Sequence, residues 1–72
     1  MMEYFKIIGK NKNTFYINLE TVVWIEFLDE ECEIIFGKDV GKAISSIMDE
    51  KKYRETKERL VKVLTASMRD FD

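Results

Sequence analysis

Residues 14–36, TFYINLETVVWIEFLDEECEIIF, decide the fold of this chain. Apolar and polar side chains alternate over residues 14–18, and residues 22–28 are rich in β-branched and aromatic side chains, so both segments favour β-strands. The acidic residues 29–31 predict a turn into another strand over residues 32–36. Because the connections between these strands are short, we expect the strands to pair antiparallel.

The same kind of pattern continues on both sides of this stretch. Residues 5–7 alternate again, and the polar residues 10–13, which include two asparagines, predict a turn that completes a hairpin. Downstream, the two glycines of residues 37–41 predict another turn. Residues 42–48 fit either a fifth short strand or the first turn of a helix, and we favour the strand.

A helical spacing begins near Asp49, which is an acceptable N-cap. Side chains suited to one helix face recur at intervals of three, four and seven, at Tyr53, Leu60, Leu64, Ser67 or Met68, and Phe71. No proline or glycine interrupts this segment, so we expect a helix over about residues 49–68. The sequence therefore predicts one α+β domain over residues 1–72, with a four- to five-stranded antiparallel meander over about residues 3–48 packed on one carboxy-terminal helix.

The period of two along each strand assigns side chains to two faces of the predicted sheet. The face that the helix covers is expected to contain Phe5, Ile7, Phe15, Ile17, Val23, Ile25, Phe27, Ile34 and Phe36. The other face contains Tyr4, Tyr16, Val22 and Trp24, together with Ile35. Because a contiguous exposed aromatic patch is typical of an interface, we take Tyr4, Tyr16, Val22 and Trp24 as the candidate interface. A chain of this size buries only about 60% of its unfolded surface, which favours self-association.

The composition indicates a globular chain and excludes several kinds of chemistry. Of the 72 residues, 46% are hydrophobic and 36% are charged, which is the balance of a globular domain and not of a disordered one. There is no histidine, which excludes histidine-based triads and histidine metal sites. The single cysteine, Cys32, excludes an internal disulfide and a multi-cysteine metal site. We therefore expect a protein without enzymatic activity, cofactor or metal.

The sequence also predicts where the protein acts. Its first residues lack the long apolar stretch of a signal peptide, since the run Ile7-Ile8 stops at Gly9. Glu26 ends the apolar run of residues 22–25, so no membrane span is expected. A lone thiol suits a reducing compartment. We expect a cytoplasmic protein whose partner is a second copy of itself or another protein.

Basic side chains concentrate in one segment, and this suggests an alternative function. Six basic and two acidic side chains occur within residues 51–62. In a nucleic-acid-binding protein, Tyr16 and Trp24 would stack on bases while this segment contacted phosphates. The candidate phosphate contacts are Lys51, Lys52, Arg54, Lys57 and Arg59. A solvated helix face is nevertheless favoured, because the net charge is -2 and glutamates precede basic side chains by four residues. These i,i+4 pairs are Glu55 with Arg59 and Glu58 with Lys62.

Three further motifs have simple structural explanations. The carboxylates of residues 29–31 and Glu33 are close enough for a cation site, but their spacing is not that of a calcium-binding loop, so we favour a solvated turn. Residues 37–41 contain the glycines and lysine of a phosphate loop but lack its Gly-Lys-Ser/Thr ending. The serines at 45–46 lie near Lys42, yet nothing indicates the pocket that a serine–lysine dyad needs, so strand positions are favoured.

The strand segments also resemble those of known small proteins. The segment FYINLETVVWIEF, followed by CEIIFGKDVGKAI, resembles small bacterial β-meander proteins, in which a strand ending in Asn leads through a short connection to a Val/Ile-x-x-Ile-Glu strand and a hairpin. Among named families the segment looks most like the small flagellar swarming-motility proteins, over about residues 5–48. This resemblance implies a non-enzymatic accessory role. A similar strand pattern occurs in DNA-binding response-regulator domains, so the pattern leaves the kind of partner open.

Overall fold

The computed structural model describes residues 4–38 and 41–67, which form five β-strands followed by one α-helix. The elements are β1 (Tyr4–Ile8), β2 (Thr14–Asn18), β3 (Val22–Leu28), β4 (Glu33–Lys38), β5 (Ala43–Ile47) and α1 (Glu50–Ser67). The predicted α+β class is therefore confirmed. The segment 42–48, which fits a strand or a helix by sequence, contains the strand β5.

The strands form two antiparallel sheets instead of the one meander that the sequence predicts. β1 pairs with β2, while β3, β4 and β5 form a separate three-stranded sheet. A 3-10 turn, Leu19–Thr21, lies between β2 and β3. Asn18 stabilises this turn, since its side-chain oxygen accepts a hydrogen bond from the Glu20 N–H at 3.0 Å and its carbonyl accepts one from the Thr21 hydroxyl at 2.9 Å. The turn redirects the chain, which separates β3 from β2.

The turn of the β1–β2 hairpin also joins the two sheets. The Gly9 N–H donates to the Asn13 carbonyl at 2.8 Å and the Lys12 N–H donates to the Gly9 carbonyl at 3.0 Å, so the predicted polar turn is confirmed. Lys12 takes a left-handed conformation in this turn, with φ of 65°. The Lys10 N–H donates to the Ile47 carbonyl at 2.8 Å and so connects the hairpin to β5.

One core is built from both sheets and the helix. Its buried apolar residues are Phe5, Ile7, Ile17, Ile34, Phe36, Met48, Tyr53 and Leu60. The predicted core residues Phe15, Ile25 and Phe27 are partly buried and pack against this cluster. Because β1, β2, β4 and α1 all contribute buried side chains, the shared core holds the two sheets together.

A bulge at the start of β3 reverses the predicted faces of Val22 and Val23. Val22 lies opposite Lys38 and Trp24 lies opposite Gly37, so Val23 has no partner of its own on β4. The extra residue interrupts the period of two, so Val22 lies on the opposite face from the one predicted by counting back from Ile25. Val22 consequently packs against the core, while Val23, predicted to be buried, is 65% exposed. The predicted faces of these two valines are therefore wrong.

The helix begins as the sequence predicts. Asp49 caps it, because its side-chain oxygen accepts a hydrogen bond from the Lys52 N–H at 2.9 Å and its carbonyl accepts one from the Tyr53 N–H at 2.8 Å. Leu60 is fully buried, and Leu64 is partly buried against the core. The predicted positions Met68 and Phe71 lie outside the described residues.

Candidate interaction surfaces

Two of the four candidate interface residues lie on the outer face of the hairpin. The β1–β2 register places Tyr16 opposite Lys6 and Tyr4 opposite Asn18, so the two tyrosines are diagonal neighbours on one face. Tyr4 is 55% exposed and Tyr16 is 64% exposed. We call this pair of residues the hairpin surface. It agrees with the predicted exposure of both rings.

Trp24 lies on the outer face of the other sheet and covers a glycine. A Cβ placed on Gly37 would lie 2.0 Å from the Trp24 ring, so the indole rests directly on the Gly37 backbone. Gly37 is also paired with Ala43, and Ile47 follows on the same face of β5. Trp24 and Ile47 are about half exposed. We call Trp24, Ala43 and Ile47 the outer sheet surface.

The candidate interface residues therefore do not form one patch on one sheet. Tyr4 and Tyr16 belong to the two-stranded sheet, and Trp24 belongs to the three-stranded sheet. Val22 faces the core side because of the bulge, where it lines a shallow apolar recess with Leu19, Leu64 and other residues of β3. Ile47, which has a larger exposed fraction than Trp24, is absent from the sequence-based set. Ile47 is exposed because β5 pairs with β4, and no local pattern in the sequence predicts this pairing.

A groove lies between β1 and α1. It has a volume of about 480 Å³, and its walls are Lys6, Ile8, Lys52, Glu55, Thr56, Glu58, Arg59 and Lys62. Four basic and two acidic side chains face it, so its charge is positive. Lys52 and Arg59 are among the candidate phosphate contacts predicted from the sequence, and Lys6, the neighbour of Tyr16 on the hairpin, joins them in this groove. Lys6 is far from the helix in sequence, and only the packing of β1 beside α1 brings these side chains together.

The basic side chains predicted to contact phosphates do not form one continuous row along the helix, because several of them have other partners. Arg54 pairs with Glu50 at 3.2 Å, and Lys57 pairs with Asp29 at 2.8 Å. The guanidinium of Arg59 lies 4.9 Å from the centre of the Phe5 ring instead of forming the predicted pair with Glu55. The predicted pair of Glu58 and Lys62 is present, with a separation of 4.0 Å. The remaining candidate, Lys51, is exposed outside the groove.

Asp29 links the β3–β4 turn to the helix. Its carboxylate accepts hydrogen bonds from the Tyr53 hydroxyl and from the Lys57 ammonium. The Lys57 ammonium, followed by the Tyr53 hydroxyl, holds the pKa of Asp29 below its usual value of 3.8. Burial, followed by the hydrogen bond to Asp29, raises the pKa of the Tyr53 hydroxyl well above its usual range. The same Lys57 ammonium lies 5.2 Å from the centre of the Phe27 ring.

The acidic turn is exposed and also contacts the helix. The sequence predicts a solvated turn over residues 29–31, and all three residues are exposed; the Asp29 carboxylate is in addition held by two helix side chains. Within residues 4–38 and 41–67, no three cysteine, aspartate or glutamate side chains converge on one point that could hold a metal ion. The Cys32 thiol is half-buried, and its Sγ lies 3.9 Å from the Asp29 carbonyl oxygen.

Comparison with known proteins identifies no relative whose function could be compared with these surfaces. No family model, curated protein or solved structure matches the chain. Of the helices in the described part of the chain, none has the length and apolar character needed to cross a membrane.

Proposed function

We propose that this protein is a small, non-enzymatic, cytoplasmic interaction module that associates with a second copy of itself. The observation that carries the proposal is the outer sheet surface, where Trp24 rests on Gly37 and Ile47 is 51% exposed. A tryptophan that lies flat on a glycine presents a broad apolar surface at little cost in side-chain entropy. The resemblance of the strand segments to the small flagellar swarming-motility proteins also supports a non-enzymatic accessory role.

The hairpin surface is a second area of exposed aromatic side chains that a partner can cover. Tyr4 and Tyr16 are both more than half exposed, and each has a polar hydroxyl at the end of an apolar ring. Tyrosine and tryptophan are enriched in interfaces because they combine these properties. A chain of 72 residues has a small core, so burial of these rings between two copies adds stability where the monomer has little.

Sedimentation velocity over a wide concentration range tests this proposal. We expect the wild type to dimerise and Ile47→Lys to remain monomeric, because a lysine on the outer sheet surface would lose its hydration in the interface. Val61→Lys is the matched control, since Val61 is also exposed but lies on the helix. A wild type that stays monomeric at every concentration would contradict the proposal, and so would equal dimerisation of both variants.

Single-stranded nucleic-acid binding is the second candidate function, and one observation favours it. Tyr16 lies opposite Lys6, and Lys6 also lines the basic groove, so an exposed ring stands beside a positively charged channel. A fluorescently labelled single-stranded oligonucleotide should then bind with an affinity that falls steeply with salt. Tyr16→Ala should weaken this binding. Absence of an anisotropy change at low salt would reject this candidate.

A further inference from the structure

Along one edge of β1, backbone N–H and C=O groups have no strand to pair with among the described residues. β1 pairs with β2 only, so its other edge is the end of that sheet. The Gly9 N–H points to the β2 side, where it donates to Asn13, and the next N–H, that of Lys10, points to the opposite side and donates to Ile47. In an antiparallel pair these directions alternate along the strand. The backbone N–H and C=O groups of Lys6 and Ile8 therefore point to the open edge, on the same side as the Lys10 N–H.

The open edge faces the groove. Lys6 and Ile8, whose backbone groups point there, are also the two strand residues that line the groove. The opposite wall is the helix, which contributes the buried Thr56 and places the Arg59 guanidinium 4.9 Å from the centre of the Phe5 ring of β1. A volume of about 480 Å³ is within the usual range for ligand sites. A groove between an unpaired strand edge and a helix has the shape that an added peptide strand requires.

The charges of the groove indicate which peptide fits. Lys6, Lys52, Arg59 and Lys62 face it, against Glu55 and Glu58. Glu58 is already paired with Lys62 at 4.0 Å. A second copy of β1 would bring an equally basic groove to this edge, which disfavours it as the occupant. An acidic peptide is attracted by the same charges.

We propose that the open edge of β1 binds an extended acidic peptide as an added antiparallel or parallel strand. The backbone groups of Lys6 and Ile8 form the hydrogen bonds, and the basic side chains of the groove pair with the carboxylates of the peptide. Alternate peptide side chains point to the groove, as the pleat of a strand requires. This site and the outer sheet surface are lined by different residues, so each is tested by its own variants.

Fluorescence anisotropy with a labelled peptide of alternating glutamate and valine tests the proposal. We expect saturable binding that weakens when alternate peptide amides are N-methylated, because N-methylation removes the donors of the added strand. Ile8→Pro should weaken binding by about threefold to tenfold, the range for one lost hydrogen bond. Proline suits this position, since the Ile8 N–H is not used in the pairing with β2.

A matched pair of charge variants tests the groove. Lys52→Glu should weaken peptide binding by about tenfold, because it reverses a charge that lines the groove. Lys51→Glu should leave binding unchanged within about twofold, since Lys51 is in the same first helical turn but not in the groove. Both substitutions place a carboxylate near the helix N-terminus, so both favour the helix equally.

Several results would overturn the proposal. These are no binding of the acidic peptide, equal binding of the N-methylated peptide, or equal losses for Lys51→Glu and Lys52→Glu. An oligonucleotide that competes with the peptide and is unaffected by Ile8→Pro would show a general anion surface instead. A wild-type dimer that only Ile8→Pro abolishes would identify a second copy as the occupant. The N-methylated peptide leaves the protein unaltered, so the test holds even if Ile8→Pro does not fold.

Discussion

Ser46 of β5 places a polar hydroxyl group inside the apolar core. The residue is 4% exposed, and its Oγ has no hydrogen-bond partner among the described residues. It lies on the inner face of β5, opposite Ile34, and close to Gly9, where an added Cβ would be 3.3 Å from the Ser46 Oγ. A buried hydroxyl without a partner costs about 1–3 kcal/mol.

Ser46→Ala is therefore expected to raise the free energy of unfolding, by about 1 kcal/mol, because it removes the unpaired hydroxyl and leaves little space. Urea denaturation measures this change. Ser45→Ala, at the exposed neighbouring position, is the control and should have almost no effect. A clear loss of stability in Ser46→Ala would show instead that the hydroxyl is paired, for example with a bound water molecule.

Asp29 gives the protein a defined pH dependence. Its folded-state pKa is lowered, so the unfolded state takes up a proton first as the pH falls. The stability that its contacts with Lys57 and Tyr53 provide is present above the usual pKa of 3.8 and is lost as the pH falls through the lower folded-state value. We expect the stability difference between wild type and Asp29→Asn to shrink as the pH falls from the usual pKa of 3.8 through the lower folded-state value. Denaturation at several pH values checks this, with Glu30→Gln in the same turn as control. A difference that is constant with pH would contradict it.

At the scale of elements, the helix stabilises the fold mainly through apolar packing. It closes the core over both sheets, and it contributes the fully buried Leu60. Its charged side chains contribute less, since the pairs of Arg54 with Glu50 and Lys62 with Glu58 are both exposed. Both of these pairs lie within the helix, so apolar packing, together with the contacts of Asp29 with Tyr53 and Lys57, fixes the helix to the sheets.

Leu60→Ala should lower the free energy of unfolding by about 2–5 kcal/mol, through lost burial and the cavity left in the core. A small domain has about 5 kcal/mol or little more in total, so this variant should be unfolded or nearly so. Val61→Ala, at a neighbouring exposed position, should cost about 0.5 kcal/mol or less. Thermal unfolding followed by circular dichroism distinguishes the two. Equal midpoints for Leu60→Ala and wild type would mean that the helix does not pack as described.

At the scale of the whole molecule, the exposed apolar surfaces link stability to concentration. Half-exposed Trp24 and Ile47 lie on one sheet, and exposed Tyr4 and Tyr16 lie on the other. If two copies bury these side chains, association stabilises the folded state by mass action. The monomer alone has only one small core to oppose its conformational entropy.

The thermal midpoint of the wild type should accordingly rise with protein concentration, and that of Ile47→Lys should not. Differential scanning calorimetry at several concentrations measures both. Peptide binding at the β1 edge should raise the midpoint of either protein, because the Ile47 side chain does not line the groove. A midpoint independent of concentration in the wild type would argue against self-association.

The sequence by itself determined the local structure. The period of two along the strands, the polar turn of the hairpin, the Asp49 cap and the apolar spacing of the helix all depend on residues that are near each other in the chain. The fold class and the exposure of Tyr4 and Tyr16 followed from these patterns. Such features are predictable because backbone propensity, capping and side-chain alternation act over a few residues.

Only the tertiary structure decided the register and the long-range contacts. The bulge that turns Val22 inward depends on how β3 pairs with β4, and the division into two sheets depends on the turn that Asn18 stabilises. The bonds from Tyr53 and Lys57 to Asp29, and the groove between β1 and α1, join residues that are distant in the chain. A shift of one residue in strand pairing exchanges the two faces of a strand, and this pairing is set by contacts between elements that no local pattern records.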